Sequence, residues 1–388
     1  MKNFINRVLK KLGRNIITLF TKRIKNRILL VQESASGSSS YAMWKLAEDK
    51  IKDKYEIVLY RDSLEEGEGL KHFVSKYRLI SSSQVIVTTH PSYKPSKKHI
   101  HVQLWHGASI KKLGVMENKP GTKFKASKAW LRADYIMSYS ETYTTFLNAC
   151  MVTDPNKYII TGAPRNDFLF VSDGLANMRK IFGDGIENYR LVFFIPTFRD
   201  YYGKPQGDRN YDNPFGFDDF SPKEFDEFLE KNKCKIIFKP HPHDQALVLD
   251  YLHDYPLKNM LVLKDEALSE NKLDLYELLN AGELLMTDYS SVYDDYLLLE
   301  RPVLFIPVDI SSYRENRGFV IESFEDWTPG PKVFDQKALQ DEMSRCLTDK
   351  DYYSDQRKMI RNLQHRYKDG ESSKRLWKFI DAVLTERK

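Results

Sequence analysis

The chain has 388 residues, 41% hydrophobic and 13% aromatic, enough to bury one or two sizeable cores and too apolar for a disordered polypeptide. Its three cysteines, Cys150, Cys234 and Cys346, lie far apart without Cys-x-x-Cys spacing, which argues against a disulfide framework or zinc knuckle and suits a reducing cytoplasm. The formal net charge of +6 is local: residues 1–27 hold nine of the 60 Lys and Arg and none of the 54 acidic residues, so the remaining chain is slightly acidic.

Residues 1–26 read as an amphipathic basic helix. Phe4, Ile5, Val8, Leu9, Leu12, Ile16, Leu19, Phe20 and Ile24 recur near helical spacing, with Lys10, Lys11, Arg14, Lys22 and Arg23 largely between them. The apolar runs are far shorter than the roughly 20 residues of a membrane span, and no small-residue cleavage site follows. A helix lying on an anionic membrane surface fits this pattern, the alternative being one packed on the protein's own core. Nucleic-acid binding is disfavoured, because only Phe4 and Phe20 interleave with the basic residues.

RILLVQ (27–32), a Ser/Gly-rich turn ESASGSSS and the helix-like YAMWKLAEDKI form a strand, turn and helix unit, as at the start of a parallel sheet. Five more strands are predicted: EIVLY (56–60), QVIVTTH (84–90), HIHVQLW (99–105), DYIMSYS (134–140) and KYIITG (157–162). They make residues 27–185 one doubly wound domain. A second series, YRLVFFIP (189–196), CKIIFKP (234–240), MLVLKD (260–265), ELLMTD (283–288) and PVLFIPVD (302–309), makes residues 186–335 another. Within it, Ser221, Pro222 and Glu224 predict a capping-box helix start, and the polar stretch 200–219 predicts a flexible loop near a cleft between the domains. Residues 336–388 read as wholly helical.

The chemistry-bearing residues fall at the carboxyl ends of predicted strands, where α/β domains bind ligands. LWHGASIKKLG places His106 and Gly107 there, followed by Lys111 and Lys112. Such a histidine could accept a proton near neutrality or simply brace the loop; the glycine admits close backbone approach. TGAPRND and FFIPTFRD bring Arg165 and Arg199, suited to phosphate recognition or to ion pairs with Asp167 and Asp200 nearby in sequence. IIFKPHPHD adds Lys239, His241, His243 and Asp244. No third metal ligand stands at a recognisable spacing and a proline precedes each histidine, so a phosphate clamp led by His241 is expected, with no metal. In TDYSSVYDDYLLLE, Asp288 ends a strand and Ser290 and Ser291 open a helix, either as a phosphate seat or as an empty N-cap.

Together LWHG with KKLG, GAPRND, PTFRD, FKPHP, TDYSSVYDDYLLLERPVLF, DISSYRENRGF and YKDGESSKR resemble the CDP-glycerol glycerophosphotransferase family of teichoic acid synthesis. The resemblance implies an α/β, GT-B type fold: two Rossmann-like domains facing a cleft, acceptor on the first and CDP-glycerol on the second, plus peripheral attachment to the inner membrane face. It implies His106 as general base and His241 beside the donor pyrophosphate. Ser290, Ser291 and Arg317 before Gly318 would contact phosphate, with Asp288 orienting the loop or a glycerol hydroxyl. The implied partners are CDP-glycerol as donor substrate and an undecaprenyl-diphosphate-linked disaccharide or its glycerophosphate-extended form. No cofactor is expected. Ribitol-phosphate transfer from CDP-ribitol, a sugar-nucleotide glycosyltransferase and a non-catalytic phosphate-binding module are the competing readings.

Overall fold

A computed structural model describes residues 2–34, 36–61, 69–90, 94–107, 110–117, 132–199, 206–241 and 244–386, with side chains from Leu9 onward. Two parallel sheets organise the chain. The first contains β1 (Arg27–Gln32), β2 (Glu56–Arg61), β3 (Val85–Thr88), β4 (Ile100–Gln103), β5 (Tyr135–Ser138) and β6 (Tyr158–Ile160), in the order β2-β1-β3-β4-β5-β6. The second contains β7 (Arg190–Phe194), β8 (Cys234–Phe238), β9 (Met260–Val262), β10 (Leu284–Thr287) and β11 (Val303–Phe305), in the order β11-β10-β7-β8-β9. Helices cover both faces of such sheets, so the strands are continuous apolar runs rather than alternating ones. Ile28 to Val31, Leu191 to Phe194 and Leu284 to Met286 are all buried.

Strand order reverses between β1 and β3 in the first sheet and between β7 and β10 in the second. At these switch points the connections leave in opposite directions and open a crevice at the carboxyl ends. The crevice residues are therefore Glu33 and Thr89-His90 in one half, and Pro196-Thr197 and Asp288 to Ser291 in the other.

The C-terminal segment is helical as expected, with three helices among the described residues. Gln336–Thr348 packs Leu339, Met343, Cys346 and Leu347 onto the second sheet's core. Ser354–Gln364 follows, and Ser372–Glu386 returns to the first half, where Leu376, Trp377, Ile380 and Leu384 join the core of β1, β3 and β4. The indole of Trp377 donates to the Met43 carbonyl at 3.0 Å. The carboxylate of Asp167 accepts the amides of Ser372 (2.8 Å) and Ser373 (2.7 Å), satisfying free N–H groups at the last helix's start.

Two local expectations change. The helix Pro222–Lys231 starts after Ser221 as anticipated, but no capping box forms: the Ser221 amide donates instead to Gln336 Oε1 at 2.7 Å, tying the helix to the C-terminal segment. Of the stretch 200–219, the described part from Gln206 onward is anchored, not a free loop. Phe215 and Phe217 are buried, and Asn213 Oδ1 accepts the amides of Phe215, Gly216 and Phe217.

The N-terminal helix Lys2–Phe20 lies along the helix Leu70–Ser82, with Gly13 beside Phe73, Arg14 over the Tyr77 ring and Thr18 Oγ1 bonded to Ser81 Oγ at 2.9 Å. Its other face leaves Leu9, Leu12, Ile16, Leu19 and Phe20 exposed, the last two by 78% and 82%. No helix among the described residues is long and apolar enough to cross a membrane.

His101, on β4, is buried with its Nε2 2.9 Å from Thr88 Oγ1, and burial lowers its pKa to about 4. The unfolded chain binds a proton at this residue below about pH 6.5, where the folded chain does not. Stability is therefore expected to fall as pH drops from about 6.5 to about 4, by about 3 kcal/mol from this residue. Urea unfolding over that range checks it, and His101→Gln should flatten the dependence.

Candidate functional site

The first wall of the site is built by the turn after β4. Trp105 adopts a left-handed conformation, φ +55°, with its amide held by Gln103 Oε1 at 2.9 Å. This turn carries His106 beneath the end of β3, its Nδ1 3.0 Å from the Thr89 carbonyl. A carbonyl only accepts, so the neutral ring carries its proton on Nδ1 and keeps a lone pair on Nε2. Trp105 and His90 pack against the ring at centroid distances of 3.9 and 4.2 Å. Burial, then His90, lowers the His106 pKa to about 3, so the basic form persists across the physiological range.

The second wall comes from the loops after β7 and β10. Asp288 Oδ1 accepts the amides of Thr197 (2.8 Å) and Tyr289 (2.5 Å), while Oδ2 pairs with Arg199 at 2.8 Å. Burial raises the Asp288 pKa, but Arg199 and Arg209 outweigh it and hold the carboxyl below its ordinary value. Arg199 also forks onto Asp309, Nε at 2.6 Å and Nη2 at 2.9 Å, and lies over Tyr289 and Tyr313. Lys239 is buried between Asp265 (3.1 Å) and the Pro240 carbonyl (3.2 Å).

These contacts place Arg199 and Lys239, expected at the phosphate, in internal ion pairs, and give Asp288 the loop-orienting position expected of it. Arg199, Lys239 and Asp288 are at most 5% exposed and spend their charge inside the protein, where a buried ion needs a partner. They shape the seat from beneath. Arg165 is corrected likewise: it is not a cleft-facing phosphate reader but a buried cation paired with Asp295 at 2.5 Å. Arg165 does not have the partner its sequence neighbours suggested. Asp167 caps the last helix instead, and Asp200, like His243, lies outside the described residues.

What remains at the surface is a smaller set. Ser290 and Ser291 are half-exposed. Ser291 occupies the N-cap position of Val292–Tyr296, yet its side chain makes no cap hydrogen bond, which sets aside the simple N-cap explanation. His241 is half-buried and stacks on Phe198 at 4.1 Å. Arg317, also half-buried, has Nη1 3.7 Å from Glu117.

The two walls touch. A Cβ on Gly107 would stand 2.4 Å from Ser291 Oγ, so glycine is what allows the histidine turn to meet the serine turn. Arg165 donates to the His106 carbonyl at 2.7 Å while gripping Asp295 in the serine helix. Lys111 forms an isolated antiparallel bridge to Phe319, and the Lys112 amide donates to the Gly318 carbonyl at 3.0 Å. Gly318, at φ +74°, packs against the Lys112 side chain. The structure thus brings together His106, Gly107, Ser291, Arg317 and Gly318. It adds residues that sequence reasoning did not select: His90 stacked on His106, Glu33 beside His90 at 3.9 Å, and Asp295 and Asp309 as counter-ions. Glu33 and His90 were findable as strand-end residues at a switch point; the counter-ions are too distant in sequence to pair by inspection.

Two Rossmann-like halves joined by a returning C-terminal helix, with their strand ends facing one crevice, are the GT-B arrangement of transferases. Residues 25–382 match the family described as CDP-Glycerol:Poly(glycerophosphate) glycerophosphotransferase, and the chain belongs to that family. The teichoic acid glycerol-phosphate primase of Bacillus subtilis (strain 168) is 26% identical over 327 residues, covering 81% of this chain and 77% of its own. Teichoic acid ribitol-phosphate polymerase TarK of Staphylococcus aureus (strain NCTC 8325 / PS 47) is 26% identical over 388 residues, covering 94% of this chain and 70% of its own. The solved structure of the wall teichoic acid polymerase TagF shares the fold with a TM-score of 0.75 at 21% identity, over all of this chain and 96% of that one.

Asp295→Ala leaves Arg165 as a buried cation without its carboxylate, a change of roughly 3–5 kcal/mol. Chemical denaturation should show that loss. Replacing both partners, as Arg165→Met with Asp295→Leu, should cost less than the sum of the single changes.

Proposed function

We propose that this chain transfers glycerol phosphate from CDP-glycerol to a hydroxyl of a membrane lipid-linked teichoic acid precursor, releasing CMP, in priming or short extension. The observation that carries this reading is His106, its tautomer set by Thr89, lying across a closed contact from the half-exposed Ser290-Ser291 turn. Family membership supplies the reaction class.

In this mechanism the acceptor oxygen attacks the phosphorus bonded to glycerol. The bond from that phosphorus to the bridging oxygen breaks, and CMP leaves with its electron pair. The acceptor's proton passes to His106 Nε2. Burial and the nearby cations keep this nitrogen a weak base. An entering diphosphate brings opposite charge and strengthens it. Ser290, Ser291 and Arg317 hold phosphoryl oxygens, with His241 beside the diphosphate; donors already in place stabilise growing charge without reorganising. Atoms and charge balance with donor and acceptor alone, and no cofactor enters. The first half, residues 27–185, presents the acceptor, and the second, 186–335, holds the donor.

His106→Ala and His241→Ala should each lower CMP release at least about 100-fold with the fold retained, the range lost with a proton-transfer group for His106 and with a preorganised donor for His241. Near-normal turnover in either removes that residue from the mechanism. Because the His106 pKa is about 3, kcat/KM should show no acid limb from this residue between pH 7 and 5. Assays with CDP-glycerol, CDP-ribitol and UDP-sugars identify the donor by which nucleotide appears. CMP from CDP-ribitol alone would move the reading to ribitol phosphate, the unit named for TarK.

The exposed apolar face of the N-terminal helix, on a segment rich in Lys and Arg, supports binding to an anionic membrane surface. Sedimentation with phosphatidylglycerol vesicles should carry down the full chain. Leu19→Glu with Phe20→Glu should leave it in the supernatant; unchanged pelleting would count against the reading.

A further inference from the structure

Glu33 follows the last residue of β1 and stands beside the bend, residues 88–90, in which β3 ends. Its side chain is 15% exposed, and one carboxylate oxygen, Oε2, accepts both the Thr89 amide (3.0 Å) and the Thr89 hydroxyl (2.7 Å). The same oxygen lies 3.9 Å from His90 Nδ1. The paired parts of β1 and β3 stop at Leu30 and Val87, so these bonds lie beyond the ladder and are not needed to align the strands. They fix the bend.

Thr89 in turn meets two imidazoles. Its carbonyl accepts His106 Nδ1–H at 3.0 Å, and its hydroxyl oxygen is 3.2 Å from His90 Nδ1. A hydroxyl has one proton and Glu33 takes it, so toward His90 the Thr89 oxygen only accepts. The two rings stack at 4.2 Å and 14°, each with its Nδ1 turned to the same threonine. Gln103 holds the other side of the bend: its Nε2 donates to the His90 carbonyl at 2.9 Å, while its Oε1 accepts the Trp105 amide at 2.9 Å. The threonine's own amide and hydroxyl are held by Glu33. Where the Thr89 carbonyl points decides which nitrogen of His106 carries the proton. A bend that rotates releases Nδ1–H, and the ring can then protonate on Nε2, the nitrogen that must stay basic.

We infer that Glu33 is a positioning residue for the transfer reaction: by holding Thr89 at both amide and hydroxyl, it keeps the Thr89 carbonyl aimed at His106 Nδ1 and leaves Nε2 free to take the acceptor's proton. The inference rests on the reading of His106 as the base. Glu33 exchanges no proton with the substrate and acts only through the Thr89 backbone and hydroxyl. Because a single oxygen accepts both bonds, an amide oxygen with its two lone pairs can replace it. The hydrogen bonds, rather than the negative charge, are what the site requires of this side chain.

The test measures CMP release with whichever cytidine diphosphate-alditol the wild type turns over. Glu33→Ala should lower kcat about 10- to 100-fold, the scale lost when a catalytic group is set off its line, with a smaller change in KM. Glu33→Gln should recover most of that loss, whereas Glu33→Asp, one methylene too short to reach Thr89, should not. The second readout is the ring itself, followed by nuclear magnetic resonance on protein carrying isotope-labelled histidine, the His106 signal being the one lost in His106→Gln. It should show the proton on Nδ1 in the wild type and in Glu33→Gln, and a mixture of tautomers in Glu33→Ala. A merely structural role would lower stability without moving that signal. A kcat of Glu33→Ala within a few-fold of wild type overturns the inference, as does a lowered kcat with the His106 tautomer unchanged. If Glu33→Ala fails to fold, Glu33→Asp supplies the same two readouts and decides. Should the wild type release no CMP from either alditol donor, the transfer reading fails first. The His106 signal still judges the glutamate, because the tautomer is read without turnover: mixed in Glu33→Ala it sustains the positioning role, unchanged it removes it.

Discussion

The buried pair of Arg165 and Asp295 holds the site together. Arg165 belongs to the connection after β6 and Asp295 to the short helix after β10, so the 2.5 Å contact spans the two halves of the molecule. The guanidinium also donates to the carbonyls of His106 (2.7 Å) and Gly37 (3.2 Å) and lies over the Tyr276 ring at 4.7 Å. Asp295 in turn accepts from Asn166 (2.7 Å) and the Tyr276 hydroxyl (2.6 Å). Two ions removed from water are tolerable only when such bonds satisfy most of their valences. One consequence is positional: the histidine turn, the serine-rich turn after β1 and the serine helix after β10 all take their places from one cation.

A second network does the same within the C-terminal half. Arg199 lies between Asp288 and Asp309, and Asp288 fixes the backbone of Thr197 and Tyr289. Arg199 of PTFRD and Asp288 of TDYSS are therefore inside, while Ser290, Ser291, His241 and Arg317 stay partly exposed. This division suits a site for an anionic substrate. Buried ion pairs make the loops stiff, and stiff loops present neutral donors in position without collapsing onto the ligand's place.

The relation of the halves is reinforced far from the cleft. Ser38 N–H reaches Asp274, the Tyr41 hydroxyl reaches the Lys272 carbonyl, and Lys45 pairs with Glu277. The last helix crosses back under the first sheet, and His365 just before it donates to the Asp294 carbonyl at 2.8 Å while stacking on Tyr139. The Ser/Gly-rich turn after β1, read from the sequence as the turn of a strand, turn and helix unit, is thus also part of the contact between halves. Its small side chains let the backbone lie close to Asp274 and Tyr276.

The eleven strands among the described residues were all legible in the sequence because a strand in a covered parallel sheet is an unbroken apolar run, and runs such as RILLVQ and CKIIFKP need no partner to be recognised. For the same reason the strand ends, and with them His106, His241, Ser290 and Ser291, could be selected as polar residues where a ligand crevice must open. The sequence by itself also determined the basic, amphipathic character of the first helix. Sequence could not say which charges face inward. Arg165 and Arg199 look alike as strand-end arginines near an aspartate, yet their counter-ions stand 130 and 110 residues away. Only the tertiary structure decided that, because a guanidinium in a low-dielectric interior is governed by whichever carboxylate the fold brings within about 3 Å, and sequence distance has no bearing on that separation.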